Sequence, residues 1–341
     1  MIFVNFIKDL ISFYYYKKAE KKFDIGFFCE SEFIFNYIQP YLEKKILKTK
    51  VVLISFENIL YKNEKNLEIF IFHTNFFREL FFLTLKLNFL YSSTPDLNNT
   101  IFKKSKFFRC KYIYLQHSPV SLNLIYNESA FDSFDAVQTI NKFQYNEMKE
   151  IKKLKNLKLK IFKSKYMFVE KQKLIKSNHD KTQVLIAPSW NTQFYKLKCH
   201  LTLRKFLLEN SISFKFRPHP MSFKKKEIDK EVFETLKICL DNSKFINFFD
   251  YDYLISDWSG IFIEYSLITN RKAFLLNTPK KISNKKFENF RNEPLEISLR
   301  HKFANTFEVD KIEELVKKIN ENKKDVSEEN EIKKIIQENF Y

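Results

Sequence analysis

Short apolar runs separated by stretches of helical spacing recur along this chain, and the alternation restricts the possible folds more than any other feature. In the first half "FDIGFFC", "KVVLISF", "LEIFIFH" and "CKYIYLQH" read as strands, with helices expected near 31–47 and 75–87. A lysine-dense stretch at 149–182 follows, carrying only a brief strand-like piece. The alternation then restarts with "TQVLIAPSW", "ISFKFRPHP", "KFINF", "YDYLISDWSG" and "KAFLLN", and with helices near 198–209, 224–239 and 261–269. Runs of this kind pack as a mostly parallel sheet between helices, so the chain is expected to be α/β, with two Rossmann-like lobes facing a cleft. The boundaries read as an N-terminal lobe over 1–165, a C-terminal lobe over 166–320 and a charged helical tail over 321–341.

With 341 residues, 45% of them hydrophobic, two full cores are within reach. The formal charge of +18 suits a polyanionic partner. Lysine, asparagine, phenylalanine and isoleucine are nevertheless all abundant while arginine is scarce, a bias that AT-rich codons supply without any binding surface. No nucleic-acid motif is present, and nucleic acid is not expected as a partner. Cys29, Cys110, Cys199 and Cys239 lack paired spacing, which argues against a disulfide framework or a zinc site and suits a reducing cytoplasm. The greasiest run, Phe76 to Tyr91, contains Arg78, Glu79 and Lys86, so no bilayer-spanning helix is expected. Lys8 and Asp9 interrupt the apolar start, unlike a signal peptide. Phe3, Phe6, Ile7, Leu10, Ile11 and Tyr14 share one helical face ahead of the basic run "KKAEKK" at 17–22. That pattern fits a helix lying on an anionic membrane surface and, equally, a terminal helix packed on its own domain.

The rarest residues carry the most information. Glycine occurs only at Gly26 and Gly260, and tryptophan only at Trp190 and Trp258. Three of these four lie in two polar turns, Pro188-Ser189-Trp190 and Ser256-Asp257-Trp258-Ser259-Gly260, each at the carboxyl end of an apolar strand. Arg217-Pro218-His219-Pro220 ends a third strand in the same way. In a parallel sheet those ends share one edge. A helix starting near Gly260 would present unpaired N–H groups and a partial positive charge, to which Ser256 and Ser259 add hydroxyls and Gly260 a close approach to the backbone. Arg217 can grip two phosphate oxygens and His219 can donate to a third. The prolines hold both residues extended before any ligand arrives. Taken singly, each turn is explained as well by Ser259 or Asp257 capping a helix and Arg217 pairing with a surface carboxylate. His117, in the stiffened turn His117-Ser118-Pro119 of the first lobe, is a candidate base, and His73, His179, His200 and His301 lack such a context. The "DYD" at Asp250 to Asp252 precedes its strand, roughly 13 Å from the carboxyl edge, and reads as a solvated entry rather than a metal site.

The strings "LQHSP", "VLIAPSW", "FRPHP" and "LISDWSGIFIEYSL" together resemble the pattern of CDP-glycerol glycerophosphotransferases, the enzymes of teichoic-acid and related surface-polymer synthesis, over about 110–280. The resemblance implies a two-lobed GT-B fold and transfer of a phospho-polyol from a CDP-activated donor to a hydroxyl of a membrane-linked glycan or polyol-phosphate acceptor, with release of CMP. It places His117 as base, His219 beside the donor pyrophosphate, and Ser256, Asp257, Ser259 and Gly260 at the nucleotide-diphosphate turn. No metal and no cofactor is called for, and the enzyme would work in the cytoplasm, peripheral to the membrane. Two differences stand out: Ser118 replaces the family's usual glycine, and Trp258-Ser259-Gly260 the more frequent tyrosine and paired serines. Alternative readings are a GT-B glycosyltransferase using a nucleotide sugar in capsule or lipopolysaccharide synthesis and, from another class, a basic protein binding nucleic acid or a membrane surface.

Overall fold

A computed structural model of the chain describes residues 2–62, 64–175, 183–190, 193–241, 243, 245–321 and 326–341; His179 lies outside them. It has two compact units. The first comprises 1–117, 126–168 and Tyr341, and the second 118–125 and 169–340.

The first unit is built on strands β1 (Ile25–Cys29), β2 (Val51–Ser55), β3 (Leu67–Ile71), β4 (Phe89–Ser92), β5 (Lys111–Tyr114), β6 (Ala136–Thr139) and β7 (Lys160–Lys163). They run in the order β3-β2-β1-β4-β5-β6-β7, every pair parallel. The second unit holds β8 (Gln183–Ile186), β9 (Ser213–Phe216), β10 (Tyr253–Ser256), β11 (Ala273–Leu276) and β12 (Ala304–Phe307), in the order β12-β11-β10-β8-β9, again all parallel. Central strands covered on both faces must be apolar throughout, and β2 and β11 are buried along their whole length. Helix Glu32–Ile46 lays Phe35, Ile38 and Leu42 on Phe27 and Leu53 of the first sheet, and starts where the Ser31 hydroxyl accepts the Ile34 N–H. In the second unit, helices Cys199–Glu209 and Ile312–Asn320 bring Leu203, Leu207, Leu315 and Ile319 onto Val184, Ile186 and Phe216.

Several elements depart from the sequence reading. The "KFINF" strand is absent from its described part. The Asn247 side chain instead accepts the Phe249 N–H and turns Phe248–Asp250 into a short 3-10 helix, because local side-chain bonding displaces strand pairing. The helix expected near 224–239 is broken into Pro220–Lys224 and Lys230–Leu236, the second restarted by an Asp229 cap. Strands β4, β6 and β12 were not anticipated. The tail forms helix Val326–Asn339, anchored by the fully buried Ile332.

Gly26 lies inside β1, where a Cβ would meet Leu87 Cδ1 at 2.5 Å and Val52 Cγ1 at 3.3 Å. The missing side chain therefore admits Leu87 to the sheet face. Gly26→Ala is expected to cost about 1–3 kcal/mol by overpacking, read as a lower urea midpoint for the first unit; an unchanged midpoint would show that Leu87 moves aside without cost.

Candidate functional site at the carboxyl edge of the second sheet

From β8 the chain runs outward to β9 on one side and returns to β10 on the other, so the order of the sheet reverses between β8 and β10. Beyond the carboxyl ends of two such strands the connections diverge and leave a crevice. The turns that end β8 and β10 are Pro188-Ser189-Trp190 and Asp257 to Gly260. Two of the three sequence-predicted turns of the second unit thus flank its switch point, and the third, Arg217 to Pro220, ends the neighbouring β9.

These two turns are tied together by buried polar bonds. The Ser256 hydroxyl donates to the Ala187 carbonyl at 2.6 Å, and the Ser189 N–H donates to Asp257 Oδ1 at 2.8 Å. Asp257 is wholly buried, and its other oxygen accepts a long 3.4 Å bond from the Thr278 hydroxyl, beyond the end of β11. Its backbone carbonyl accepts from Arg300 Nη1 at 2.8 Å, while Nη2 of the same guanidinium donates to Leu276 O and Asn277 Oδ1. Arg300 also covers the Trp258 ring at 4.0 Å, and the indole N–H donates to Thr278 O at 2.7 Å. Burial pushes this guanidinium down to about 10. Ser256 and Asp257 therefore sit inside the turn and hold its shape.

Ser259 and Gly260 open helix Ile261–Thr269, where the Ser259 hydroxyl accepts the Ile261 N–H at 3.4 Å. The space left by the missing Gly260 side chain is taken from within the unit: a Cβ there would stand 2.5 Å from Val120 Cγ1 and 2.7 Å from Ser118 Oγ. The segment 118–125 thus passes against this turn. It is fixed by the Glu296 carboxylate, which accepts the Ser121 N–H at 3.0 and 3.1 Å, and by the Ser283 and Asn284 N–H groups, which donate to Leu124 O.

The third turn contributes less directly. His219 caps helix Pro220–Lys224 by accepting the Met221 N–H on Nδ1 at 3.1 Å, which leaves the ring proton of the neutral imidazole on Nε2. Its ring centroid is 6.3 Å from that of Trp190. Arg217, by contrast, directs Nη1 to Asp241 at 2.7 Å and to the Ser243 carbonyl at 2.8 Å, so this guanidinium is held by its own carboxylate partner.

His117 belongs to the first unit, at the carboxyl end of β5. Its Nδ1 is 3.2 Å from the Tyr114 hydroxyl, and its carbonyl accepts from the Tyr166 hydroxyl at 2.9 Å. The rings of Tyr37, Tyr114 and Tyr126 surround it, and burial pushes its pKa down to about 4. The imidazole is neutral at physiological pH.

Lys281, Glu296 and Arg300 were missed in the sequence. Lys281 has its ammonium 4.4 Å from the Trp190 ring centroid and is pushed down to about 8 by burial, which still leaves it mostly protonated near neutrality. Burial likewise pushes Glu296 up to about 7. The signal for Lys281 was present: "AFLLNTPKK" is one more apolar strand ending in a proline turn. Asp250 and Asp252, at the opposite end of β10, bond to Asn247 and pair with Arg271.

The fold is shared with known proteins. Two structures of the wall teichoic acid polymerase TagF, both histidine variants and one soaked with CDPG, superpose over nearly the whole chain. The first has a TM-score of 0.56 and 11% identity, covering 98% of this chain and 92% of that one. The soaked variant has a TM-score of 0.57 and 12% identity, with coverage of 99% and 93%. No protein-family model matches the sequence, and no curated protein matches it significantly. The fold class is α/β of the GT-B type.

The raised pKa of Glu296 gives a pH signature. Unfolded, it loses its proton near 4.5; folded, it keeps it to about 7, so its contribution is fully present below 4.5 and is lost as pH rises through 7. Glu296→Gln, which preserves an acceptor for Ser121, is expected to flatten the decline in stability over this window. Urea midpoints of wild type and variant at either end of it check this, and parallel declines would refute it.

Proposed function

We propose that the protein is a transferase that moves a phospho-polyol group from a CDP-activated donor to a hydroxyl of a membrane-linked glycan or polyol-phosphate acceptor, releasing CMP. The observation that carries this reading is the gathering of His219, Ser189, Ser259 and the amino end of helix Ile261–Thr269 around the switch point of a parallel sheet. Nucleotide phosphates bind at such an edge because backbone N–H groups and the helix dipole both favour negative charge there. A fold shared with a teichoic acid polymerase adds support.

In this reading His219 donates from Nε2 to the pyrophosphate, assisted by the Ser259 hydroxyl and the first amides of the helix, while Ser256 and Asp257 keep the turn in shape. Arg217 contributes positive charge from behind its Asp241 pair. His117 takes the proton of the acceptor hydroxyl as its oxygen attacks phosphorus and the bond to the CMP oxygen breaks. A neighbouring anion would raise the basicity of this desolvated imidazole. Nothing in the step calls for a cofactor.

The helix Ile2–Ala19 is the candidate contact with an anionic membrane on the cytoplasmic side. It is fastened through Asp9, a buried carboxylate that accepts the His73 and Thr74 N–H groups at 2.7 to 3.0 Å, and through Tyr16 and Phe13. Its other face leaves Phe3, Leu10, Ile11 and Tyr14 at least half exposed, alongside exposed Lys8 and Lys18. No described helix is long and apolar enough to cross a membrane, so contact would be along the surface. Replacing Leu10 and Ile11 together by aspartate should abolish co-sedimentation with anionic vesicles; unchanged binding would remove the helix from this role.

Incubating the purified chain with CDP-polyols and nucleotide sugars, then identifying the freed nucleotide, tests the reaction. CMP is expected; a nucleoside diphosphate would make the enzyme a glycosyltransferase instead. His219→Asn retains a capping acceptor and should lower kcat/KM by roughly 100-fold or more, whereas near-normal turnover would exclude the imidazole from the step.

A further inference from the structure

The two tryptophans of the chain are each faced by one of two consecutive lysines. Lys280 Nζ is 5.8 Å from the Trp258 ring centroid, and Lys281 Nζ is 4.4 Å from that of Trp190. The turn beyond β11 therefore reaches both turns that flank the switch point. The two lysines differ in one respect. Lys280 is exposed and solvated, whereas Lys281 keeps only 8% of its surface.

A buried ammonium normally has a carboxylate or carbonyls around it, because they compensate for the water it loses. Among the described residues Lys281 has neither an ion pair nor a hydrogen bond; its contact is the indole face. Three carboxylates act on it from farther away, Asp257, Glu296 and Glu227. Asp257 is already bonded to Ser189 and Thr278, and Glu296 to Ser121. A cation–π contact offsets only part of such a cost. The ammonium is thus a charge held in a nearly dry place with its hydrogen-bonding capacity unspent, next to the Trp190 ring that also lies beside His219.

We propose that Lys281 is the anion-binding cation of this edge, and that its ammonium, over Trp190 and near His219, receives the diphosphate of a nucleotide donor. The role expected of Arg217 falls to Lys281, because the Arg217 guanidinium is already drawn to Asp241. Trp190 acts as the platform that holds the lysine stem in place while its charge waits for the ligand. The nucleotide part of the proposal rests on the donor reading above; the anion site itself does not.

Calorimetric titration of the full chain with CDP, UDP and inorganic pyrophosphate separates the two. Lys281→Ala should weaken CDP and pyrophosphate alike by about 10- to 100-fold, the range of a hydrogen bond to a charged group. Lys281→Arg should recover most of the loss, and Lys280→Ala should bind as wild type. Wild-type affinity in Lys281→Ala, or equal losses from Lys280→Ala and Lys281→Ala, would overturn the proposal, as would a wild-type chain that binds none of the three probes. If the wild type binds pyrophosphate but no cytidine nucleotide, and Lys281→Ala loses it, the donor reading fails while the anion site stands. Thermal unfolding of each variant, with Lys281→Ala expected to be no less stable than wild type, confirms that binding and not folding has been lost.

Discussion

A carboxylate without exposed surface is stable in its charged form only if the surrounding donors compensate for the lost water. The buried Asp257 carboxyl accepts, among its donors, the Ser189 N–H and the Thr278 hydroxyl, which come from the turns beyond β8 and β11. One side chain on the β10 turn thus fixes the ends of three strands relative to each other. Three parts of the candidate site are attached to that tie: Trp190 follows Ser189, the helix amides follow Asp257, and Lys281 follows Thr278 by three residues. Arg300 completes the arrangement by binding the carbonyls of Asp257 and Leu276.

The cationic residues of the second unit fall into distinct physical situations. Arg217 and Arg300 are hydrogen-bonded within the fold and serve to shape it. Most lysines are exposed, and a charge there is screened within about 10 Å at ordinary salt. Lys281 is almost wholly buried and has no ion-pair partner among the described residues. The formal charge of +18 is therefore a poor guide to where an anion would bind. One ammonium in a low-dielectric surrounding attracts a phosphate more strongly than many on the surface do.

Much of the fold was legible because parallel strands covered on both sides must be apolar, and β1, β2, β5, β8 and β10 announce themselves as such runs. The strands that escaped notice carry buried polar residues or sit at the margin of a sheet. β6 reads "AVQT", yet Gln138 and Thr139 are fully buried, the former bonded to Tyr41. β12 reads "ANTF" and pairs only with β11. "KFINF" failed for the opposite reason: β-branched and aromatic residues favour a strand, but the Asn247 side chain offered the backbone a nearer partner. In the candidate site, rarity drew attention to both tryptophans and to Gly260. It could not single out Lys281 in a chain crowded with lysine, although the proline turn after β11 satisfied the same criterion as the others.

The segment 118–125 belongs to the second unit although its neighbours on both sides in the chain belong to the first. A ribosome makes it well before Gly260 and Glu296, the residues it rests on and bonds to. During translation the early half must therefore close around an excursion whose Val120 and Ser121 still lack their partners, and domains that fold as they emerge do so at some risk of misassembly. Neither half corresponds to an uninterrupted stretch of the gene, so an exchange of halves between chains of this fold would have to carry two separate pieces of coding sequence. Recombination at a single point between the lobes would leave the second without the strand of chain that fills the hollow over its only glycine.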